Sequence, residues 1–493
     1  MRQETLNPND ISLSGEWRFF DIRDFSRILL FSVSLILCAA LYQLNIPFFF
    51  ILYGLFFVLI SVISIRISFF FLLFSTFLNG LQWDIYRNIT IRPDQIIIIF
   101  FIIIFAFSYF RLRIRYFKTP LDKPIFIFLL LNLFSSAFLS QIPVITLRKF
   151  FLLALYTLFY FLTVNIILNF AKEREQTGRV LKIFLLIALS PMIYGLLSFL
   201  FFYISSYHLG GTETIMVRDL LPTLSQNVFT FRIFSTMHEP NIFGSISSTF
   251  GLIFIGFLVS DVKFSPTEIF YFLFCSVIAI LSILLSFTRS AWLSFGVGLL
   301  LYFLFRKYLN VKSKKIVKYS LFFLAVFSII LILIFAIKTD LLVSYSEKMT
   351  KIVDYKTGTG ATRLYLWKKV LQDVPSSWLL GHGTQGHLAL FNNDETVGLA
   401  NFPLDILHSS GILGFAVFIW IQIKILLLAI RGIKSAENPF LKQVLRIFLV
   451  SFLALWINNF FICVYWLSFP WIFTAFIVGF SQIALKKEEG NLI

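Results

Sequence analysis

"IFYFLFCSVIAILSILLSFTRSAWLSFGVGLLLYFLF", residues 269–305, contains two apolar runs, Ile269–Leu285 and Trp292–Phe305. The short turn between them carries a single arginine, Arg289. A water-soluble core has no need of back-to-back apolar segments this long, whereas each bilayer crossing takes roughly 17–25 apolar residues. Comparable runs recur along the 493 residues: Ile28–Leu44, Pro47–Ile65, Ile67–Leu81, Ile96–Phe110, Pro124–Leu139, Phe150–Phe170, Ile183–Tyr203, Pro240–Val259, Tyr319–Ile337, Gly411–Ile430, Ile447–Trp466 and Trp471–Leu485. Only Arg66 divides the second from the third. The expected fold class is all-α, a polytopic transmembrane helical bundle of about 12–14 helices.

Composition agrees. The chain is 58% hydrophobic and 19% aromatic, and only 14% of it is charged. Its formal charge of +17 is that of many nucleic-acid binders, but loop position explains it better. With the N-terminus inside, the loops "RLRIRYFK", "AKEREQTGRVLK", "RKYLNVKSKKIVK" and "RGIKSAENPFLKQVLR" all fall on the same side as the C-terminal "KKEEG". About 27 Lys and Arg then lie inside, against about 7 in the outer segments other than the longest loop, a bias that orients both termini to the cytoplasm. No nucleic-acid partner is expected; membrane lipids are. Cys38, Cys275 and Cys463 lie far apart in apolar stretches, which excludes a disulfide framework and a zinc motif. The polar, mixed-charge N-terminus has no signal-peptide pattern.

The chain divides into a cytoplasmic tail (1–27), transmembrane helices (28–337) with an outer loop near 204–239, a long outer loop (338–410), C-terminal transmembrane helices (411–485) and a cytoplasmic tail (486–493). Long polar loops on one face, among otherwise short connections, are where binding or catalysis is expected. Within the longest, "ATRLYLWKKVLQ" predicts a short helix with Arg363, Trp367 and Val370 on one face, ended by "DVPSSW". The loop is therefore expected to be partly helical.

Three outer segments supply candidate chemistry. Arg289 sits at the interface, where its insertion costs less than the roughly 2.5–3.5 kcal/mol of an arginine at the bilayer centre. A snorkelling role explains it on its own. "FRIFSTMHEPNIFG" places Arg232, His238 and Glu239 before the span at Pro240, where Glu239 also suits a helix start. Arg363 and Trp367 come from the longest loop. If Arg232, Arg289 and Arg363 converge, their planar guanidinium groups suit bidentate capture of phosphate oxygens in a partly dry site. "GHGTQGH" (381–387) follows no strand and lacks a Lys-Ser/Thr ending, so it reads as a turn and not as a nucleotide-binding loop. No Asp-x-Asp pair is present to hold a divalent cation, so neither a metal nor a cofactor is expected.

"FRIFSTMHEPNIFG", "LSFTRSAW", "ATRLYLWKKVLQDVPSSWLLGHGTQGH" and "NFPLDILHSSGILGF" occur in the order seen in the O-antigen ligase and O-antigen polymerase superfamily, which the chain resembles over roughly residues 230–420. The resemblance implies a metal-independent membrane glycosyltransferase of the GT-C type. Its donor would be an undecaprenyl-diphosphate-linked oligosaccharide, and its acceptor lipid A-core or another lipid-linked glycan. It carries the family's diphosphate-gripping arginines onto Arg289 and Arg363. One position departs: counting back from Gly411 and Gly414 puts the family's histidine on Ala400, with Asn401 and Leu404 still matching. Glu239, His238, Asp405, His382 and His387 are the remaining candidates to accept the acceptor's proton. Arg232, Trp367, Asn401, Asp405, His382 and His387 are the candidate substrate contacts. His408, two turns below Ala400 on the same face, reads as structural. A lipid-linked oligosaccharide flippase is the alternative, but it would be expected to show two pseudo-repeated halves and charges along a central cavity.

Overall fold

The computed structural model describes residues 22–86, 89–111, 114–170, 174–205, 212–216, 229–305, 318, 322, 358–394 and 397–486. The protein is an all-α polytopic bundle. Among the described residues, ten helices are long and apolar enough to cross a membrane and three apolar helices are shorter. In chain order the helices are α1 (Ile22–Leu44), α2 (Ile46–Ile63), α3 (Ile65–Ser75), α4 (Pro93–Phe110), α5 (Asp122–Phe134), α6 (Pro143–Phe170), α7 (Arg174–Ser205), α8 (Pro240–Val259), α9 (Pro266–Leu285), α10 (Arg289–Leu304), α11 (Gly358–Asp373), α12 (Phe402–Ser435), α13 (Pro439–Asn459) and α14 (Ser468–Lys486). Two antiparallel hairpins interrupt them: β1 (Trp83–Tyr86) with β2 (Ile89–Ile91), and β3 (Thr212–Met216) with β4 (Phe229–Ile233). The expected span Tyr319–Ile337 lies outside the described residues except for Phe322, as does most of each expected terminal tail.

Several helices begin where the sequence supplies a proline, whose missing N–H is no loss in a first turn: Pro93, Pro240, Pro266 and Pro439. At the start of α9, Ser265 Oγ accepts from the Glu268 N–H, and Glu268 Oε2 accepts from the Ser265 N–H at 2.7 Å. The helices also run beyond the apolar stretches. α6 continues through Arg148 and Lys149 back to Pro143, and α12 begins at Phe402, within the expected loop.

The central element is α8, buried along its whole length. Its sequence "PNIFGSISSTFGLIFIGFLV" is rich in Gly, Ser and Thr, the small residues that let helices approach closely in lipid, where apolar faces have little hydrophobic reason to associate. A Cβ on Gly244 would come within 2.8 Å of Ser286 Oγ and 2.9 Å of Thr288 Cβ, and one on Gly256 within 2.8 Å of Ile447. These glycines therefore set how near the start of α10 and the body of α13 lie to α8. Tyr302 on α10 completes the contact by donating to the Leu252 carbonyl at 3.0 Å. Phe184 of α7 and Phe476 of α14 stack at 4.2 Å in the core.

One end of the bundle gathers the end of α3 and the starts of α4, α8, α10, α12 and α14. The Gly80 N–H donates to the Thr236 carbonyl and the His238 N–H to Asn79 Oδ1. Thr288 Oγ1 donates to the Pro240 carbonyl, and Ser468 Oγ to Asp94 Oδ2.

α12 is broken at Gly411, where φ is +64° and ψ −168°. The segment 378–383 lies against this break. The Ile412 N–H donates to the Trp378 carbonyl at 2.9 Å, the His382 N–H to the His408 carbonyl at 2.8 Å and the Gly383 N–H to the Ser409 carbonyl at 2.9 Å. Gly381 (φ +76°) approaches so near that a Cβ there would stand 2.5 Å from Gly411 N, an approach open to glycine alone. A single π turn, Ser135–Leu139, follows α5. In it Ser135 Oγ accepts from the Gly383 N–H at 2.7 Å and donates to the Ser409 carbonyl at 2.9 Å. Gly381 and Gly383 of "GHGTQGH" thus serve close approach to the protein's own backbone.

Candidate functional site

Arg289 is the first residue of α10, half-buried, directly after Thr288. Because Thr288 bonds to Pro240, the start of α10 sits beside Glu239, the exposed residue that precedes α8 with extended backbone. Arg363 lies on α11, which forms as the sequence predicts and ends in a 3-10 turn at Val374–Ser377. Val370 is fully buried on the same helix, and Trp367 packs beside it and donates Nε1–H to the Leu399 carbonyl at 2.7 Å. That apolar seam against Leu399 and Leu404 fixes α11 to the head of α12 and aims Arg363.

Arg289 lies within electrostatic range of Arg363. Burial, and after it the Arg289 guanidinium, push Arg363 below the usual arginine range, while Cys463 and Glu239 act in the opposite sense. A guanidinium disfavoured by burial and by a second cation, with one carboxylate nearby, lies in a region of positive potential suited to an anion. Cys463, in the connection between α13 and α14, feels the same group. Burial pushes its thiol well above the usual range, with Asp405, Arg363 and Glu239 all acting on it and an Asn401 N–H bonded to it. It is therefore a neutral packing residue.

Arg92, just before α4, was missed from sequence. Burial opposes its charge, but Tyr156, Asp94 and Glu239 outweigh that and raise it. Its Nε has no hydrogen-bond partner among the described residues. "IRPD" held the signal, since an arginine immediately before a helix-opening proline repeats the setting of Glu239 before Pro240.

The family comparison covers this region: residues 274–419 match the family model described as Wzy_C, O-Antigen ligase. Over these residues the chain is similar to the O-antigen ligase family. No curated protein matches it. The O-antigen ligase match runs from within α9 into α12, so it contains Arg289, Arg363, Trp367, Asn401 and Asp405 but neither Arg92 nor Glu239. The match supports a membrane enzyme of the ligase or polymerase kind.

The remaining expected residues of this O-antigen ligase-like chain divide into two groups. His238 is exposed beside Glu239, and Arg232 lies on β4 opposite Glu213 in the hairpin register. Asn401 caps α12, its Oδ1 accepting from the Leu404 N–H at 3.0 Å. His387, Asp405 and His382 instead turn inward. His387 Nδ1 stands 3.3 Å from Asp405 Oδ1, both nearly inaccessible, and Asp405 also accepts from Tyr465 and Trp466 at 2.8 and 2.9 Å. His382 is buried, 3.1 Å from Ser376 and stacked on His408 at 4.5 Å. Arg289 and Glu239 thus lie within electrostatic range of Arg363, whereas His382, His387 and Asp405 are buried.

Proposed function

We propose that this membrane glycosyltransferase moves a glycan from an undecaprenyl-diphosphate carrier to a sugar hydroxyl at the periplasmic face of a bacterial inner membrane, with both termini cytoplasmic. The acceptor oxygen forms a bond to the anomeric carbon as the bond from that carbon to the diphosphate breaks. The electron pair leaves with the diphosphate, and the acceptor's proton passes to the Glu239 carboxylate. Arg289 and Arg363 hold the departing diphosphate, whose charge grows in the transition state, and the transfer chemistry itself runs without a metal ion. Arg92, with its unused Nε–H, supports the same anion from the α4 side.

The observation that supports this reading is the electrostatic action of Arg289 and Glu239 on Arg363, three residues that come from separate parts of the chain: the start of α10, the residue before α8 and a distant loop helix. The absence of histidine at Ala400 is what assigns the proton to Glu239. Whether the acceptor is lipid A-core or another lipid-linked repeat is decided by product. A strain lacking the gene is complemented with Arg289→Ala and Arg363→Ala chains, and its surface glycan is resolved on gels. Accumulation of unlinked, lipid-bound polymer indicates lost ligation, and a single-repeat product indicates lost polymerisation. Wild-type banding from both variants overturns the diphosphate clamp.

A further inference from the structure

Behind the arginine group lies a second cluster to which the transfer reaction assigns no part. Asp373 ends α11, His382 sits in the glycine turn, and His408 lies on the first half of α12 just before the break. His408 Nε2 is 2.9 Å from Asp373 Oδ2, and His382 Nε2 is 3.4 Å from the same oxygen. All three potential ligand atoms lie within 4.8 Å of one another. The two imidazoles are nearly parallel, with an interplanar angle of 22°, and both Nε2 atoms face the same Asp373 oxygen. Both histidines are buried, and Asp373 is partly so.

We propose that Asp373, His382 and His408 form a binding site for a divalent transition-metal ion, zinc in the first instance. In a tetrahedral site with ligand bonds of about 2.0–2.1 Å the ligand atoms stand about 3.3 Å apart, and the two measured edges bracket that spacing. Two imidazole nitrogens and one carboxylate oxygen suit zinc and its neighbours, whereas magnesium and calcium take oxygen donors. Water fills the fourth position, or Ser376 Oγ, which lies 3.1 Å from His382 Nε2.

The backbone holds the site in shape before any ion arrives. The His382 N–H bonds to the His408 carbonyl, so the residues bearing the two nitrogen ligands are joined directly through the main chain. Gly381 and Gly383, both at positive φ, allow that approach. Asp373 lies ten residues beyond Arg363 on α11, about 15 Å along the helix. The ion is therefore a staple and not part of the reacting centre: it ties the end of α11 to the broken helix and so steadies the element that presents Arg363. The proposal rests on this geometry and is independent of the glycan reaction.

The test uses the full-length chain in detergent, stripped with chelator and titrated with CoCl2, then with ZnCl2. The expected result is the visible d–d absorption of one four-coordinate Co2+ per chain, displaced by zinc, and a thermal midpoint that rises with zinc. His382→Gln and His408→Gln lose both signals, while His238→Gln keeps them. A stripped wild-type chain that develops no absorption and no zinc-dependent rise overturns the site, and this arm holds even if the variants fail to fold. Equal Co2+ uptake by the wild type and the two ligand variants also overturns it.

Discussion

Ala400 occupies the left-handed region with φ of +48°, immediately before the Asn401 cap. An L-residue with a Cβ pays roughly 1–2 kcal/mol there, which glycine does not. Ala400→Gly is therefore expected to raise the unfolding free energy by about 1 kcal/mol, read as a higher thermal midpoint in detergent; an unchanged or lower midpoint contradicts it. Glycine at this position leaves transfer intact, because Ala400 contributes no proton-accepting group. The identity of Ala400 was plain in the sequence, and so was the loss of the family histidine there. Its backbone strain was not, because φ at one loop residue is imposed by the two elements it joins. The same limit applies to His382 and His387. As residue types they were fair candidates for proton transfer, but only the path of 378–388 across the α12 break shows that they face inward.

Among the elements, the α8–α10 pair sets the spacing between Glu239 and Arg289, and Gly244 is the hydrogen-sized gap that permits it. Gly244→Val forces a side chain against Ser286 Oγ and Thr288 Cβ, an overpacking that costs roughly 1–3 kcal/mol and shifts the start of α10 outward. The expected result is strongly reduced glycan transfer in the complementation assay with both arginines still present and normal membrane insertion. Wild-type transfer by this variant would contradict that spacing role. Long apolar runs made most helices legible, and Pro240 marked the α8 start, because both signals are local. The short 3-10 and π turns, the two hairpins and the break at Gly411 were not legible. They depend on contacts between distant segments, such as Ser135 with Gly383 and Ser409. α11 was legible from Arg363, Trp367 and Val370 at helical spacing, and its partner Leu399 was not.

For the molecule as a whole, the proposed topology, argued from alternation of the basic loops, faces the site away from the cytoplasm. Asp394, exposed in the loop before α12, and Lys434, exposed near the opposite end of α12, report the two sides. In a background free of native cysteines, Asp394→Cys is expected to react with a membrane-impermeant maleimide on intact spheroplasts, and Lys434→Cys only after the membrane is opened. The reverse pattern would invert the proposed topology. A last consequence follows from the crossing of 378–383 over the Gly411 break. Gly381, Gly383 and Gly411 leave no room for a side chain, and each neighbouring backbone bond is spoken for. A residue gained or lost on either strand of that crossing would throw the whole stitch out of step. Asn392 to Asp394 are exposed, and a Cβ on Gly398 meets nothing within 4 Å. Added or altered residues are therefore accommodated at these exposed positions while the crossing keeps its register, so an engineer wishing to insert a tag or probe should begin there.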